Sequence, residues 1–274
     1  MKQRFTKMQG IGNDFVVIDC RDRPLALDAR QIARLGDRHF GVGFDQLLTI
    51  ERSGDPACAF AYGIYNQDGS AARQCGNGVR CVAAWLRRDG ALGAGAIRLL
   101  SPSGPIDIDV LADGRVRAGM GVPRFAPQDI PLQLPAADPY RFRLNHAEIE
   151  FGAVSMGNPH AVIEVDDVVT APLPTLGAAL STDAHFPQGC NVGFVQIVDR
   201  GHVRLRVWER GSGATLACGT GACAAVAVLR RRGKVDAGVA VELPGGTLQI
   251  DWPGDGSALA MTGPAVFVFE GEYA

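Results

Sequence analysis

Short apolar runs, separated by glycine, proline or aspartate, recur along most of the chain and predict β-strands. Longer apolar segments predict helices at 28–38, 77–88, 176–182 and 220–231. Each half of the chain combines many strands with one main apolar helix, which predicts an α+β fold with sheet wrapped around a helix. The runs with strand character are FVVID, LLTIE, AIRLL, IDIDV, AVIEV, VRLRVW and LQIDW.

The two main helical segments belong to a repeat. The stretches CGNGVRCVAAWLRRDG (75–90) and CGTGACAAVAVLRRRG (218–233) share eight of sixteen positions, namely Cys, Gly, Gly, Ala, Leu, Arg, Arg and Gly. Further matches follow in the same order at nearly constant spacing, which predicts a duplicated domain with two homologous halves. They pair GNDFVVI with GNPHAVI, Gln46 with Asn191, IYN (64–66) with VWE (207–209), and SPSGPIDIDV with ELPGGTLQID.

A proline-rich segment separates the two halves. The stretch PRFAPQDIPLQLPAADP (123–139) carries proline at every fourth position. Proline in a helix interior removes a hydrogen bond and clashes with the preceding turn, so this segment predicts an extended or irregular connection. We therefore expect it to be the joint between the halves.

The charge balance excludes some classes of partner. The chain has 274 residues, a formal net charge of −2 and 20% charged residues. This gives no electrostatic case for binding nucleic acid or an anionic membrane. No stretch approaches the roughly 20 apolar residues of a membrane span, and the first residues, MKQRFTKMQG, lack the apolar core of a signal peptide. We therefore expect a cytoplasmic protein without membrane or nucleic-acid partners.

The seven cysteines are expected to be free thiols, because structural disulfides are rare in a reducing compartment. No CxxC pair occurs, and the spacings Cys75/Cys81 and Cys218/Cys223 place each pair on different helix faces, which argues against zinc. Cys81 and Cys223 lie inside apolar helical segments, so we expect both to be small buried core residues. The Gly-x-Gly stretches lack the third glycine of a dinucleotide-binding motif.

Cys75 and Cys218 differ from the other cysteines, because each precedes Gly-x-Gly at the predicted start of a helix. The dipole and the unpaired N–H groups there stabilise an anion, and the pKa of such a thiol can fall below its usual ~8.5. If the halves are related by a pseudo-two-fold axis, one thiol would lie on each side of a bound molecule. That arrangement suits removing a proton from one face of a carbon and delivering one to the other face, as a racemase or epimerase does.

Acidifying an amino-acid α-carbon usually relies on pyridoxal phosphate held as a Schiff base on a lysine. The chain has three lysines, Lys2, Lys7 and Lys234, and none occupies a position typical of a buried Schiff base. We therefore expect a cofactor-independent reaction, in which backbone amides at 76–77 and 219–220 hold a carboxylate while negative charge grows.

The chain contains, in order, the motifs KMQGIGNDFVVID, GFDQLL, YNQDGS, CGNGVRC, MGNPHAV, CNVGFV and VWERGSGATLACGTGACA. Together they span nearly the whole chain and resemble the diaminopimelate epimerase family, pyridoxal-independent enzymes of lysine and cell-wall precursor synthesis. The resemblance implies two similar domains, each a mainly antiparallel β-structure around a central helix, with the active site in the interdomain cleft. Because the last strand of that fold returns to the first domain, the implied domains are 1–120 plus 264–274 and 121–263.

The resemblance also implies a reaction and roles for matched residues. The reaction would be epimerisation of LL-2,6-diaminopimelate to the meso form, with no metal or cofactor. Cys75 and Cys218 would be the acid/base pair, and His160 and Glu209 would support the reacting centre. Arg210 would hold the distal carboxylate. The implied substrate contacts are Asn13, Gln46, Asn66, Gly76, Asn77, Asn158, Asn191, Glu209, Arg210, Gly219 and Thr220.

The resemblance further implies a homodimer formed through the C-terminal strand, FVFEGEYA. Members of the family often carry tyrosine near the position of Phe269. Phenylalanine keeps the apolar surface and loses the hydroxyl, so we still expect a homodimer but with altered contacts.

Two other hypotheses remain open at the level of sequence. One is another cofactor-free racemase of the same architecture, such as the proline racemase group, although a small ring substrate needs no distal grip from Arg210. The other is a thiol redox sensor, in which Cys75 and Cys218 form a reversible disulfide. Turnover of substrate by the reduced protein distinguishes an epimerase from a sensor.

Overall fold

The computed structural model describes residues 3–72, 76–93, 95–144 and 147–273. The chain divides into two compact units, one formed by Met1–Gly119 with Thr262–Ala274 and the other by Met120–Met261. Strands dominate and helices are few. The predicted α+β class is confirmed.

Most elements of both units are short strands. The helices are α1 (Ala29–Gly36), α2 (Gly76–Arg88), α3 (Ala178–Ser181) and α4 (Gly219–Arg231). The strands are β1 (Gln3–Gly10), β2 (Asn13–Asp19), β3 (Gln46–Arg52), β4 (Phe60–Asn66), β5 (Ala96–Ser101), β6 (Gly104–Val110), β7 (Val116–Gly119), β8 (Tyr140–Leu144), β9 (Ala147–Ser155), β10 (Pro159–Glu164), β11 (Asn191–Asp199), β12 (His202–Glu209), β13 (Gly213–Ala214), β14 (Gly238–Leu243), β15 (Gly246–Asp251), β16 (Ala260–Gly263) and β17 (Val266–Tyr273).

In the first unit the strands enclose α2. Antiparallel pairs β1–β2, β3–β4 and β5–β6 are linked by parallel pairs β2–β3 and β4–β5, and β17 returns to pair antiparallel with β1. Val79 and Val82 of α2 are fully buried against residues of the surrounding strands, such as Phe15 and Leu48. The helix is therefore the core of this unit, as burial of its apolar surface requires.

The second unit repeats the same order and direction of strands. Antiparallel pairs β9–β10, β11–β12 and β14–β15 are linked by parallel pairs β10–β11 and β12–β14, and α4 contacts β9, β10, β11, β12 and β15. The register repeats too. Phe15 lies opposite Gln46 in the first unit, and His160 lies opposite Asn191 in the second, 145 residues later in both strands. The repeat found in the sequence therefore extends to backbone pairing.

The predicted helices and strands are confirmed, with small differences at their ends. Asp28 caps α1 in a capping box with Gln31, so this helix begins and ends inside the predicted range. The predicted helix at 176–182 is a π-helical turn (Leu173–Gly177) that continues into α3. Each of the seven apolar runs contributes to a strand.

The interpretation of 123–139 as a joint between the halves is wrong. The segment belongs to the second unit, and Ile130 and Leu132 are buried in that unit's core. Arg124 exchanges two backbone hydrogen bonds with Ser155 of β9, at 3.0 and 2.8 Å. The regularly spaced prolines limit helix to one 3₁₀ turn (Pro127–Asp129), but the apolar residues between them are free to pack.

Packing of α4 against β9 predicts a specific requirement for glycine at residue 152. A Cβ there would lie 2.3 Å from Val228 Cγ1 of the helix. Because valine is stiff in a helix and the site is buried, we expect Gly152→Ala to lower the free energy of unfolding by about 1–3 kcal/mol, measured by urea denaturation. The control is Gly119→Ala, where the nearest atom is 3.5 Å from the added Cβ, and its effect should stay within about 0.5 kcal/mol. Equal stability of the two variants would contradict this account.

Candidate active site

Cys218 is the N-cap of α4. Its φ of −120° and ψ of 101° are extended, and its Sγ accepts a hydrogen bond from the backbone N–H of Gly221 at 3.3 Å. A Cβ at residue 221 would lie 3.1 Å from that sulfur, so glycine gives the thiol room to reach the first turn. The sulfur therefore takes the place of the oxygen that usually caps a helix.

The helix N-terminus does not lower the pKa of the Cys218 thiol below its usual range. The residue is only 4% exposed, and burial raises the pKa of its thiol well above the usual range. The Glu209 carboxylate raises it further through its charge and a hydrogen bond, whereas Thr220, with Oγ1 3.7 Å from Sγ, and the Gly221 N–H lower it. Desolvation and the neighbouring negative charge outweigh the helix N-terminus, so Cys218 is a neutral thiol in this structure.

Glu209 is held beside Cys218 by a hairpin. It is the last residue of β12 and pairs with Gly213 across the turn to β13. Thr215, just beyond the turn, donates a hydrogen bond from Oγ1 to the Glu209 carboxylate at 2.5 Å. Sequence reasoning missed Thr215. Its signal was the turn between the two residues, where Gly211 and Gly213 have φ values of 82° and 76° and reverse the chain.

His160 is buried and neutral. Burial, assisted by the positive charge of Arg210, lowers the pKa of its imidazole to about 3. Its Nε2 lies 3.0 Å from Asn158 Oδ1 and 3.5 Å from Asn191 Nδ2. Asn158 Nδ2 in turn lies 3.5 Å from Thr220 Oγ1, which connects the imidazole to the first turn of α4.

Arg210 and Asn191 are joined through the backbone. The N–H of Arg210 donates to Asn191 Oδ1 at 2.9 Å, and the Arg210 guanidinium donates to the carbonyl of Gln188 at 2.7 Å. The second unit thus brings together every residue that the sequence predicts for its half of the site: Asn158, His160, Asn191, Glu209, Arg210, Cys218, Gly219 and Thr220.

The first unit brings its predicted residues together in two pairs. Gln46 Nε2 donates to Asn66 Oδ1 at 3.3 Å across β3 and β4, and Asn77 Nδ2 donates to Asn13 Oδ1 at 3.3 Å. Gly76 begins α2. Cys75, the predicted partner of Cys218, lies outside the described residues.

The remaining predictions about cysteine hold for the two helical positions. Cys81 and Cys223 are fully buried within α2 and α4, which confirms that both are core residues. Their sulfurs fill space among apolar side chains, as free cysteines commonly do.

Comparison with known proteins gives the family. The model of the diaminopimelate epimerase family matches residues 5–126 and 152–268. The chain belongs to this family. It is 56% identical over 272 residues to the diaminopimelate epimerase of Xanthomonas euvesicatoria pv. vesicatoria, covering 98% of this chain and 96% of that protein. It is 48% identical over 273 residues to the diaminopimelate epimerase of Stutzerimonas stutzeri, covering 99% of both chains.

Solved structures share the fold at low identity. A hydroxyproline epimerase from Agrobacterium vitis has a TM-score of 0.72 and 17% identity, covering 100% of this chain and 92% of that one. A probable proline racemase from Agrobacterium radiobacter has a TM-score of 0.70 and 17% identity, covering 99% and 93%. Family membership confirms the predicted resemblance and the enzyme class, an epimerase. Within the described ranges, no helix is long and apolar enough to cross a membrane.

The environment of Cys218 predicts that Glu209 adds to the effect of burial and raises the pKa of the thiol. Glu209→Gln removes a negative charge, so we expect the pKa of the Cys218 thiol to fall. The measurement is the ultraviolet absorbance of the thiolate against pH, taken as the difference between proteins with and without Cys218→Ala. Glu242→Gln, which removes a half-exposed carboxylate of the same unit that is paired with Arg204, should leave the titration unchanged. A Cys218 titration that is the same in Glu209→Gln and wild type would contradict the assignment.

Burial of neutral His160 predicts a pH dependence of stability. Between its folded pKa of about 3 and its ordinary pKa of 6.5, the unfolded chain binds a proton at His160 that the folded protein does not. The stabilisation is therefore complete above 6.5 and is lost as the pH falls toward 3, with a slope of up to about 1.4 kcal/mol per pH unit. His160→Gln should flatten this part of the curve, measured by urea denaturation across the range. His39→Gln, at an exposed position, serves as the control, and equal slopes for both variants would refute the prediction.

Proposed function

We propose that this chain converts LL-2,6-diaminopimelate to meso-diaminopimelate by a cofactor-independent two-base reaction, with Cys75 and Cys218 as the proton-transferring pair. The observation that carries the proposal is the neutral Cys218 thiol, which caps α4 beside Glu209. A buried thiol at a helix N-terminus can donate its proton and is then stabilised as thiolate by the Gly221 N–H and the helix dipole.

The state of Cys218 assigns a direction to the transfer. A two-base inversion needs one thiolate to remove the α-proton and one thiol to supply another. Burial and the Glu209 carboxylate keep Cys218 protonated, which favours Cys218 as the donor in the resting enzyme. The proposal then gives Cys75 the role of the base. The repeat supports this difference, since the position of Glu209 in the second unit is occupied by uncharged Asn66 in the first. In the reverse reaction the two roles exchange.

The start of α4 supplies groups for a substrate carboxylate. The backbone amides of Gly219 and Thr220 lie in the first turn of a 13-residue helix, where N–H groups have no partner within the helix. Such amides and the dipole bind a carboxylate and stabilise charge that develops next to it. Gly76 and Asn77 open a helix of the same length in the first unit.

Arg210 supports a substrate with a second carboxylate. Its backbone is fixed by Asn191 and one side of its guanidinium by the Gln188 carbonyl, whereas its side chain remains largely exposed. A guanidinium presents five donors in a planar fork that matches a carboxylate. This favours a diacid such as diaminopimelate over the small ring substrate of a proline racemase.

The described lysines support independence from pyridoxal phosphate. Lys7 Nζ lies 2.5 Å from an Asp14 carboxylate oxygen, and Lys234 Nζ lies 2.5 Å from Glu164 Oε2. Each of these two side chains is engaged by a carboxylate and not presented to a carbonyl group that could form a Schiff base.

Four finer predictions are retained as part of this proposal. They are the domain limits (1–120 plus 264–274, and 121–263), the interdomain position of the active site, the cytoplasmic location and the homodimer. Half-exposed Val268 and Phe269 on β17 favour a partner surface there, and Phe269 packs edge-on against Phe5 with ring centroids 5.9 Å apart.

The test is turnover of LL-diaminopimelate by reduced protein with no pyridoxal phosphate added. Cys75→Ala and Cys218→Ala should each lower the rate by at least about 100-fold, because each removes one of the two proton-transfer groups. Cys223→Ala, a buried substitution in the same helix as Cys218, should retain turnover. Near-normal rates for either of the first two variants would refute the acid/base assignment.

Two further readouts separate the alternatives. In D₂O the inverted product should carry deuterium at early times while recovered starting isomer stays unlabelled; return of the original hydrogen into product would indicate a single base. Turnover of proline instead of diaminopimelate would favour the proline racemase hypothesis. Absence of any turnover by the reduced protein would favour a redox sensor.

A further inference from the structure

The first unit contains two side-chain amides joined head to tail between two opposite charges. Asn13 Nδ2 donates to the Asp45 carboxylate at 2.8 Å, and Asn77 Nδ2 donates to Asn13 Oδ1 at 3.3 Å. Arg80 Nη1 donates to Asn77 Oδ1 at 2.9 Å. The order is therefore Asp45, Asn13, Asn77, Arg80, and all four residues belong to the same unit.

Asp45 and Arg80, at the two ends, fix the donor-to-acceptor direction of every hydrogen bond between them. A carboxylate only accepts, so the Asn13 NH₂ must face Asp45, and its Oδ1 must face the other way. A guanidinium only donates, so Asn77 Oδ1 must face Arg80, and its NH₂ must face Asn13. The link between the two amides is then compatible with both ends. Neither amide can rotate by 180° without setting donor against donor or acceptor against acceptor.

Both ends are themselves anchored. Arg80 is fully buried, its Nε donates to the carbonyl of Pro264 at 3.2 Å, and its guanidinium fills the space left by Gly10, where a Cβ would lie 2.9 Å from Nη2. Asp45 accepts a hydrogen bond from Arg38 Nη2 at 2.6 Å and another from the backbone N–H of Asp14 at 3.1 Å.

The salt bridges behind Asp45 extend the anchor. Asp14 is bound by Lys7 and, through two nitrogens, by Arg38. Burial opposes ionisation of Asp14, but the hydrogen bonds and charges of Arg38 and Lys7 lower the pKa of its carboxyl to about 2. The Asp14 carboxylate, which holds Arg38 in contact with Asp45, is therefore ionised at neutral pH.

The second unit has the corresponding amide without the charged ends. Asn158 Nδ2 lies 3.5 Å from Thr220 Oγ1, which matches the contact between Asn13 and Asn77. The repeat positions of Asp45 and Arg80 are Cys190 and Cys223, both buried and uncharged. A threonine hydroxyl turns to suit either partner, whereas an asparagine amide has two distinct ends and needs to be oriented. The charged residues Asp45 and Arg80 thus occur in the first unit, which has two asparagine amides to orient, and not in the second, which has one.

We propose that Asp45 and Arg80 are positioning residues, which fix the orientation of the Asn13 and Asn77 side chains at the substrate-binding start of α2. The inference rests on the proposed function, in which these asparagines belong to the substrate site. Neither Asp45 nor Arg80 needs to touch the substrate. They determine which atom of each amide, the donor or the acceptor, is presented to it.

The first test replaces Asp45, because half of its side chain is exposed and the change is mild for folding. Asp45→Asn keeps the shape but lets residue 45 donate as well as accept, so the sense of the amides is no longer enforced. We expect the KM for LL-diaminopimelate to rise about tenfold, equivalent to about 1.4 kcal/mol, with kcat changed less than KM. In an Asn13→Ala background the same substitution should change KM less than about twofold, because no Asn13 amide remains to be oriented.

The matched control is Asp107→Asn. Asp107 also binds an arginine, Arg98, at 2.7 Å in the same unit, and among the hydrogen bonds of the described residues it accepts none from an asparagine. The Asp107→Asn substitution should leave KM and kcat as in the wild type. An Asp45→Asn effect that is equally large with and without the Asn13 amide would overturn the proposal, as would a KM within twofold of the wild type.

The second test addresses the buried end. Arg80→Lys keeps a donor-only cation and should preserve KM within about threefold, whereas Arg80→Met should raise it by tenfold or more if the protein folds. The control is Arg87→Met, which removes an arginine of the same helix whose guanidinium donates to the Leu92 carbonyl at 3.3 Å and to neither asparagine. Equal KM values for Arg80→Lys and Arg80→Met, both measured on folded protein, would remove Arg80 from the proposal.

A readout without turnover separates this inference from the proposed function. The side-chain NH₂ resonances of Asn13 and Asn77, assigned in ¹⁵N spectra by their loss in the alanine variants, should shift in Asp45→Asn and stay in place in Asp107→Asn. If the wild type does not epimerise diaminopimelate but these shifts occur, the proposed function fails and the positioning stands. If it does epimerise and they do not occur, only the positioning fails.

Discussion

The proposed site depends on α4, a helix that is buried along nearly its whole length although its first turn is proposed to bind a substrate carboxylate. Ten of the 13 residues of α4 are buried, from Gly219 to Leu229, so the apolar helix is fixed by its surroundings along nearly its whole length. A buried helix end still has N–H groups that need partners. The N–H of Gly221 is satisfied by the Cys218 sulfur and that of Ala222 by the Cys218 carbonyl, and the proposed carboxylate site uses the amides of Gly219 and Thr220. The element that supplies the core of the unit is therefore also the one to which the proposal assigns the anion site.

Duplication reproduced this arrangement and substitution then made the copies electrostatically different. Strand order, direction and register agree between the units, yet Asn66 is matched by Glu209 and Arg80 by Cys223. The first unit carries a buried cation near the start of its helix, and the second carries a carboxylate. A positive group favours an ionised thiol and a negative group opposes it. Equal backbones can therefore hold two thiols in different protonation states.

The sequence was sufficient for the elements, because they leave local signals. The repeated Cys-Gly-x-Gly pattern located the two main helices, and the order of matched polar residues named groups that the structure brings close together within each unit. The sequence was insufficient where a property of a residue depends on groups that are distant along the chain. The pKa of Cys218 depends on burial and on Glu209, which the hairpin of β12 and β13 places beside the thiol. The Cys-Gly-x-Gly motif at the start of the helix reveals neither the burial nor this neighbour. Asp45 and Arg80 were missed because they are 35 residues apart and meet only through two amides.

The same distinction explains the error over 123–139. Proline at every fourth position correctly excludes a long helix, because that conclusion needs only the local geometry of the chain. It does not follow that the segment is a connection, since a chain without regular hydrogen bonds can still bury side chains. Ile130 and Leu132 do so against aromatic residues of the second unit, and the backbone pairs with β9 through Arg124. Backbone periodicity predicts which elements are impossible, whereas membership of a core is decided by where the apolar side chains between the prolines can be buried.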